Sequence, residues 1–131
     1  MLEKITKKEL NKEQYNFNTT DLGRKGENLA ATYLKDKGYT LLCCNYRFKR
    51  SEIDIIVIDD NLLVFVEVKY RTNLLFGEPE TFINPAKQKR IKMAAENYIF
   101  EKNWLNDIRF DVISIVNIND KVSIEHFIDS F

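Results

Sequence analysis

The chain of 131 residues has only two cysteines, Cys43 and Cys44, and they are adjacent. Neighbours on a strand point to opposite faces, which disfavours a bond between them, so they read as reduced packing residues. Together with a single histidine, His126, they offer too few ligands for structural zinc. That histidine also lacks a partner pattern for nucleophilic catalysis. Charge of one sign is missing too: 20 Lys+Arg against 20 Asp+Glu leave a formal net charge of zero. Attraction to a polyanion must therefore come from local segregation of charge. Apolar runs such as Leu62 to Val66 fall far short of the ~20 residues that span a bilayer, so no membrane association is expected. Met1 to Ile5 shows no apolar core followed by a small-residue cleavage site, and the expectation is a cytoplasmic, soluble protein. No repeat or low-complexity segment is present.

What the chain does have is 44% hydrophobic and 31% charged residues, at a length suited to one domain that buries roughly two-thirds of its unfolded surface. Residues 1–19 are rich in Lys, Glu, Asn and Gln, with scattered apolar positions, and read as a mobile or loosely docked tail preceding a single domain over 20–131. Thr20-Asp21 supplies capping chemistry for a helix with Leu22, Gly26, Leu29, Ala30, Tyr33 and Leu34 on one stripe, and Gly38 suits its end. Three strand-like stretches follow, Thr40 to Phe48, Glu52 to Ile58 and Leu62 to Lys69, with the short polar turns of an antiparallel meander. After a loop over 70–84, Pro85 opens a second helix with Ile91, Ala94, Ala95 and Tyr98 on one face, running to about Lys102. Strands at Ile108 to Val116 and Val122 to Phe127 complete the chain, joined by turn residues between Asn117 and Lys121. The second helix is long enough to cross over and return the chain parallel to the third strand, so the expected class is α/β with a mixed sheet.

The chemistry-bearing text is Ser51-Glu52-Ile53-Asp54-Ile55-Ile56 and Phe65-Val66-Glu67-Val68-Lys69. Alternation puts Glu67 and Lys69 on one face with Cα atoms ~7 Å apart. A two-residue turn at Asp60-Asn61 would set Asp59 opposite Leu62, Ile56 opposite Phe65 and Asp54 opposite Glu67, with the last pair ~5 Å apart at Cβ. Two partly buried carboxylates that close call for a cation, a shared proton or an arginine. One solution is a hard divalent ion such as Mg²⁺, with Lys69 neutralising a phosphate or handling water. The other is a structural ion-pair cluster at a sheet end.

Between Thr81 and Ala95 the charged residues are Lys87, Lys89, Arg90 and Lys92, a charge of +4 with no acid among them. They can track phosphates or form a solvated basic face. Gln88 lies in the same helix and joins the candidate contacts. Arg47, Lys49 and Arg50, interleaved with Tyr46 and Phe48, and Arg71 after Lys69 make further candidates for contact with a nucleic-acid backbone. Asp111 reads as a structural partner of Arg or Lys across the sheet in preference to a member of the active cluster, and Trp104 and the phenylalanines as packing residues.

Gly23-Arg24-Lys25-Gly26-Glu27, Ala30, Tyr33-Leu34, Gly38-Tyr39, Asn45-Tyr46-Arg47, Glu52 to Ile56, Val64 to Lys69, Arg71, Lys87 to Ile91 and Arg109 to Val112 together resemble the YraN-like family of small bacterial proteins, over residue 20 to the C-terminus. That family is similar to the PD-(D/E)XK, or restriction-endonuclease-like, superfamily, which includes Holliday-junction resolvases. The resemblance implies a core of helix, three-stranded meander, crossover helix and further strand. It also implies a metal-dependent endonuclease acting on DNA, including branched or structured DNA, with a non-cleaving nucleic-acid-binding or scaffold protein as the alternative and RNA as a further substrate class. By the same resemblance Asp54 and Glu67 are metal ligands, Lys69 is the catalytic lysine, Glu27 is an added acid from the first helix, and the Val68 carbonyl is a further ligand. Mg²⁺ is the implied cofactor, with Mn²⁺ as its substitute, and junction resolution would need a homodimer. Two positions depart from the pattern: Ile53 stands where the superfamily has its nominal proline, and Ser51 where the family usually shows glycine.

Overall fold

The computed structural model describes residues 25–73 and 83–131. The expected tail over residues 1–19 and the capping residues Thr20-Asp21 lie outside the described residues. Two helices and five strands follow in the order α1 (Lys25–Asp36), β1 (Thr40–Phe48), β2 (Ser51–Asp59), β3 (Leu62–Arg71), α2 (Pro85–Lys102), β4 (Asp107–Ile118) and β5 (Lys121–Phe127). The strands form one sheet in sequence order, antiparallel except for the parallel β3–β4 pair that α2 bridges. This is the mixed α/β arrangement expected from the sequence.

Local chemistry sets the element ends. Gly38, at φ +97, ends α1 in the left-handed region, where the absence of Cβ removes the steric cost. Asn84 caps α2, its Oδ1 accepting the Lys87 N–H at 2.9 Å, Pro85 fills the first turn, and Asn103 at φ 53 closes the helix. Asn119 and Asp120 both take positive φ in the β4–β5 turn, as a tight hairpin requires. Lys49 at φ 56, and not Ser51, carries the left-handed conformation of the β1–β2 turn. A serine in place of glycine at position 51 therefore meets no backbone demand there.

The sheet divides two apolar layers. Ala30, Ala31 and Leu34 of α1 pack with Cys44, Ile55, Val57, Val64, Val66, Ile113 and Ile115 on one side. On the other, Ile91, Ala94, Ala95 and Tyr98 of α2 pack with Leu42, Ile53, Ile56, Ile58, Leu63, Phe65, Trp104 and Val112. Cys43 and Cys44 face opposite layers, as alternation dictates.

Helix α1 crosses the sheet closely at Gly26: a Cβ there would stand 2.5 Å from the Tyr70 Cβ. No rearrangement short of moving backbone relieves such an overlap. Gly26→Ala is expected to cost about 1–3 kcal/mol of stability, read as a lowered urea midpoint with unchanged slope.

Candidate functional site

The two-residue turn sets the β2–β3 register as the sequence suggests: Asp59 pairs with Leu62, Ile56 with Phe65 and Ile55 with Val66. Backbone pairing ends there. At the next position Asp54 turns its carboxylate to the neighbouring strand, and Oδ2 accepts the Val68 N–H at 2.8 Å.

Opposite Asp54 on β1 lies a second break. Asn45 sits between the pairs Cys44↔Ile55 and Tyr46↔Ile53 and takes the left-handed φ of 53, a conformation that asparagine tolerates better than most residues. Cys44 and Ile55 belong to the α1 layer, whereas Tyr46 and Ile53 belong to the α2 layer. Both strands thus exchange faces across the Asn45–Asp54 position. The exchange lets residues of α1, β1, β2 and β3 meet at one end of the sheet.

Asn45 Nδ2 donates to Glu27 Oε2 at 2.9 Å and to Glu52 Oε1 at 2.7 Å, tying the first turn of α1 to the start of β2. Glu27, Glu52 and Asp54 each offer a carboxylate oxygen, and the three oxygens lie within 4.8 Å of one another. A cavity of about 380 Å³ opens over them, lined also by Arg50, Ser51, Glu67, Lys87, Arg90 and Ile91. Glu67 is 5% exposed, and its Oε1 meets the Lys87 Nζ at 2.6 Å. Burial, followed by the charges of Glu67 and Glu27, pushes the Asp54 carboxyl up to about 8, against the opposing pull of the Val68 N–H and Lys87.

The sequence-derived residues separate in space. Asp54, Glu67 and Glu27 line the cavity together, with Arg50, Lys87 and Arg90 among them. Lys69 follows Glu67 by two residues on β3 and is half-buried, but the cavity wall does not include it. Lys89, Gln88 and Lys92 line a different groove on the other flank of α2. There the Lys92 Nζ stands 5.6 Å from the centre of the Phe110 ring, and the Gln88 amide donates to the Ile83 carbonyl at 2.7 Å. Arg47 is largely exposed, with Nε 3.5 Å from Glu52 Oε2, while Lys49 lies over the Phe48 ring. Tyr46 and Phe48 are partly buried against the α2 layer. Arg71 lines a separate depression with Tyr70, Thr72 and Asn73.

Glu52 and Asn45 escaped the reading of the sequence as site residues. Glu52 had a usable signal, since it stands two positions before Asp54 and a strand places such residues on one side. Asn45 had a weaker one, an asparagine inside an otherwise strand-like run. Asp111 takes the structural role its sequence context suggested, with Arg109 of its own strand as partner, whereas the contacts from His126 and Asp129 had no signal in spacing or pattern. Asp111, fully buried, accepts from Arg109 Nε at 2.8 Å and Nη2 at 2.7 Å, and from the Asp129 N–H at 2.9 Å. His126 Nε2 lies 2.7 Å from its Oδ2. Burial alone would raise the Asp111 carboxyl, but the bonds from His126, Arg109 and Asp129 hold it below the ordinary range. It is thus an ionised acceptor, and His126 presents its N–H to it.

The comparisons bear on the same residues. The model of the family described as "Uncharacterised protein family UPF0102" matches residues 26–115. The chain belongs to the UPF0102, or YraN-like, family. A UPF0102 protein of Chlorobium limicola is 49% identical over 117 residues, covering 84% of this chain and 91% of the relative. One from Natranaerobius thermophilus is 44% identical over 119 residues, 88% of this chain and 100% of the relative. One from Flavobacterium psychrophilum is 41% identical over 111 residues, 85% and 93%. The UPF0102 match takes in every cavity residue from Glu27 to Ile91 and stops before β5.

Two outcomes follow from these charges. A folded chain that keeps the Asp54 proton up to about pH 8, while the unfolded chain releases it near pH 4, holds that stabilisation in full at low pH and loses it as the pH rises through 8. In chelator, wild-type stability is therefore expected to decline between about pH 4 and 8, whereas Asp54→Asn lacks this decline and is the more stable by about 1–3 kcal/mol at the alkaline end, read by urea denaturation. Asp111→Asn leaves Arg109 without its carboxylate and is expected to cost about 3 kcal/mol, read as a lowered melting temperature.

Proposed function

We propose that this chain is a metal-dependent nuclease that hydrolyses phosphodiester bonds in DNA. The observation that carries the reading is the convergence of the Glu27, Glu52 and Asp54 oxygens within 4.8 Å under a cavity with cationic walls. Buried carboxyl groups that close resist full ionisation without a cation, and the Asp54 carboxyl, raised first by burial and then by the charges of Glu67 and Glu27, fits that demand. An all-oxygen, carboxylate-rich donor set suits a hard ion such as Mg²⁺, or Mn²⁺ in its place. Glu27, Glu52 and Asp54 would hold it, with Glu67 beside them and the Val68 carbonyl as the further ligand that the family resemblance implies.

Such an ion supplies Lewis acidity to a phosphate oxygen and lowers the pKa of bound water. The chain's own residues do the rest. Asn45 fixes Glu27 and Glu52 through its two donated hydrogen bonds. The Val68 N–H sets the orientation of Asp54. Arg50 and Arg90 on the cavity wall bring positive charge to the phosphodiester. Lys69, two residues beyond Glu67 on β3 and outside the cavity wall, would be the ammonium that the family resemblance implies for orienting water or offsetting charge on the phosphorane.

A second reading, a non-cleaving nucleic-acid-binding or scaffold protein, draws support from the Lys87–Glu67 pair, because a carboxylate already matched by an ammonium needs no metal. The purified protein is to be screened with Mg²⁺ and with Mn²⁺ on linear, nicked, single-stranded and four-way DNA and on matched RNA. Cleavage of DNA that falls on the order of 100-fold or more in Asp54→Asn, Glu52→Gln and Lys69→Ala, with folding intact, is the expected result. Binding without cleavage under either metal would favour the second reading, and cleavage confined to RNA would change the substrate class. A dimer in solution that cuts only four-way DNA would make junctions the substrate.

A further inference from the structure

The ion pair between Lys87 and Glu67 has unequal halves. The Glu67 side chain is 6% exposed and that of Lys87 is 43% exposed, with 2.6 Å between Nζ and Oε1. A buried carboxylate is costly without a counter-charge, so Lys87 meets a need that Glu67 cannot meet from water. The ammonium, in contrast, sits on a flexible four-carbon stem, half in solvent, and loses little by turning away.

Helix α2 sets where it can turn. Lys87, Arg90 and Ile91 lie on one helical face at i, i+3 and i+4, and Ile91, buried in the α2 layer, anchors that face over the cavity. The first turn of α2 carries no acid, and a helix N-terminus itself favours an anion. Released from Glu67, the Lys87 ammonium would have Arg50 and Arg90 for neighbours on the cavity wall. Three positive groups so placed make a seat for a phosphodiester.

A divalent cation among Glu27, Glu52 and Asp54 would remove the reason for the pair. It would repel the ammonium and offer Glu67 a stronger counter-charge than Lys87 provides. We propose that the Lys87–Glu67 ion pair is an exchangeable plug: cation entry frees Lys87 from Glu67, and the freed ammonium takes a phosphate oxygen of the nucleic acid. Metal and phosphodiester then bind with positive coupling through this one side chain, and by linkage each raises the affinity for the other by the same factor. The inference rests on the cation site proposed above, and it assigns Lys87 a part separate from that of Lys69.

Mn²⁺ binding by the full chain, followed by the electron paramagnetic resonance of free Mn²⁺, tests it with and without a short DNA duplex carrying phosphorothioate linkages. In wild-type protein the duplex is expected to tighten Mn²⁺ binding about 5-fold or more. In Lys87→Gln, Mn²⁺ alone should bind about 5-fold tighter than to wild type, because the competing ammonium is gone, while duplex affinity falls and the coupling factor drops to about 1. Lys89→Gln, which removes the same charge from the other flank of α2, should weaken duplex binding without tightening Mn²⁺ binding.

A purely structural Lys87 would weaken both ligands together in Lys87→Gln, and that result overturns the plug. So does a variant that binds Mn²⁺ as wild type does or keeps the coupling. A wild-type chain that takes up no Mn²⁺ ends the cation site itself, and the plug with it. That failure is distinct from Mn²⁺ and DNA binding normally with no effect of Lys87→Gln.

Discussion

Four carboxyl groups share one small cavity in this protein, and much of the surrounding architecture follows from keeping them there. Glu27, Glu52, Asp54 and Glu67 come from α1, β2 and β3, so their mutual repulsion acts between elements that the apolar layers press together. Three kinds of partner answer them. Asn45 donates to Glu27 and Glu52, Asp54 takes a backbone N–H and retains its proton to about pH 8, and Glu67 binds an ammonium. An arrangement that spends an amide, a peptide N–H and a lysine on one acidic spot resists explanation by packing alone, because apolar residues of similar volume would satisfy a core at lower cost.

The strand irregularity at Asn45 and Asp54 is what makes the meeting geometrically possible. In a regular pleat, Ile53 and Ile55 would point the same way. Here they enter different apolar layers. Pairing resumes on both sides of the break in unchanged register, so the hairpin keeps its ladder while its side chains change direction. The glycine at position 26 contributes from the other side: without a Cβ, α1 approaches Tyr70 closely, and the adjacent Glu27 comes within reach of Asn45.

Positive charge is distributed with equal selectivity. The run of cations at the start of α2 looks uniform in one dimension, yet helical geometry sends Lys87 and Arg90 toward the acidic cavity and Lys89 and Lys92 toward the apolar groove beside Phe110. Asp111 and His126 show the same principle in the opposite layer, where a buried carboxylate gathers an arginine, a histidine and the backbone of the C-terminal turn. That cluster anchors the chain's end and lies apart from the cavity.

Local chemistry made the elements legible: β-branched runs, Asn, Asp and Gly at turns, Pro85 at a helix start and Gly38 past a helix end all act within a few residues, and their consequences appear in the structure at nearly the expected positions. The register that aligns β2 with β3 was legible for the same reason, since a two-residue turn leaves one way to pair. Which side chains would finally meet was not, because it depends on groups far apart in the chain and on where two strands depart from regular alternation. Asp54, Glu67 and Glu27 could be named as acids from the residues and their resemblance to a family. That Glu52 joins them, that Asn45 bridges Glu27 to Glu52, that Lys87 reaches Glu67 and that His126 seats on Asp111 were decided only when the packed layers brought distant segments within hydrogen-bonding distance.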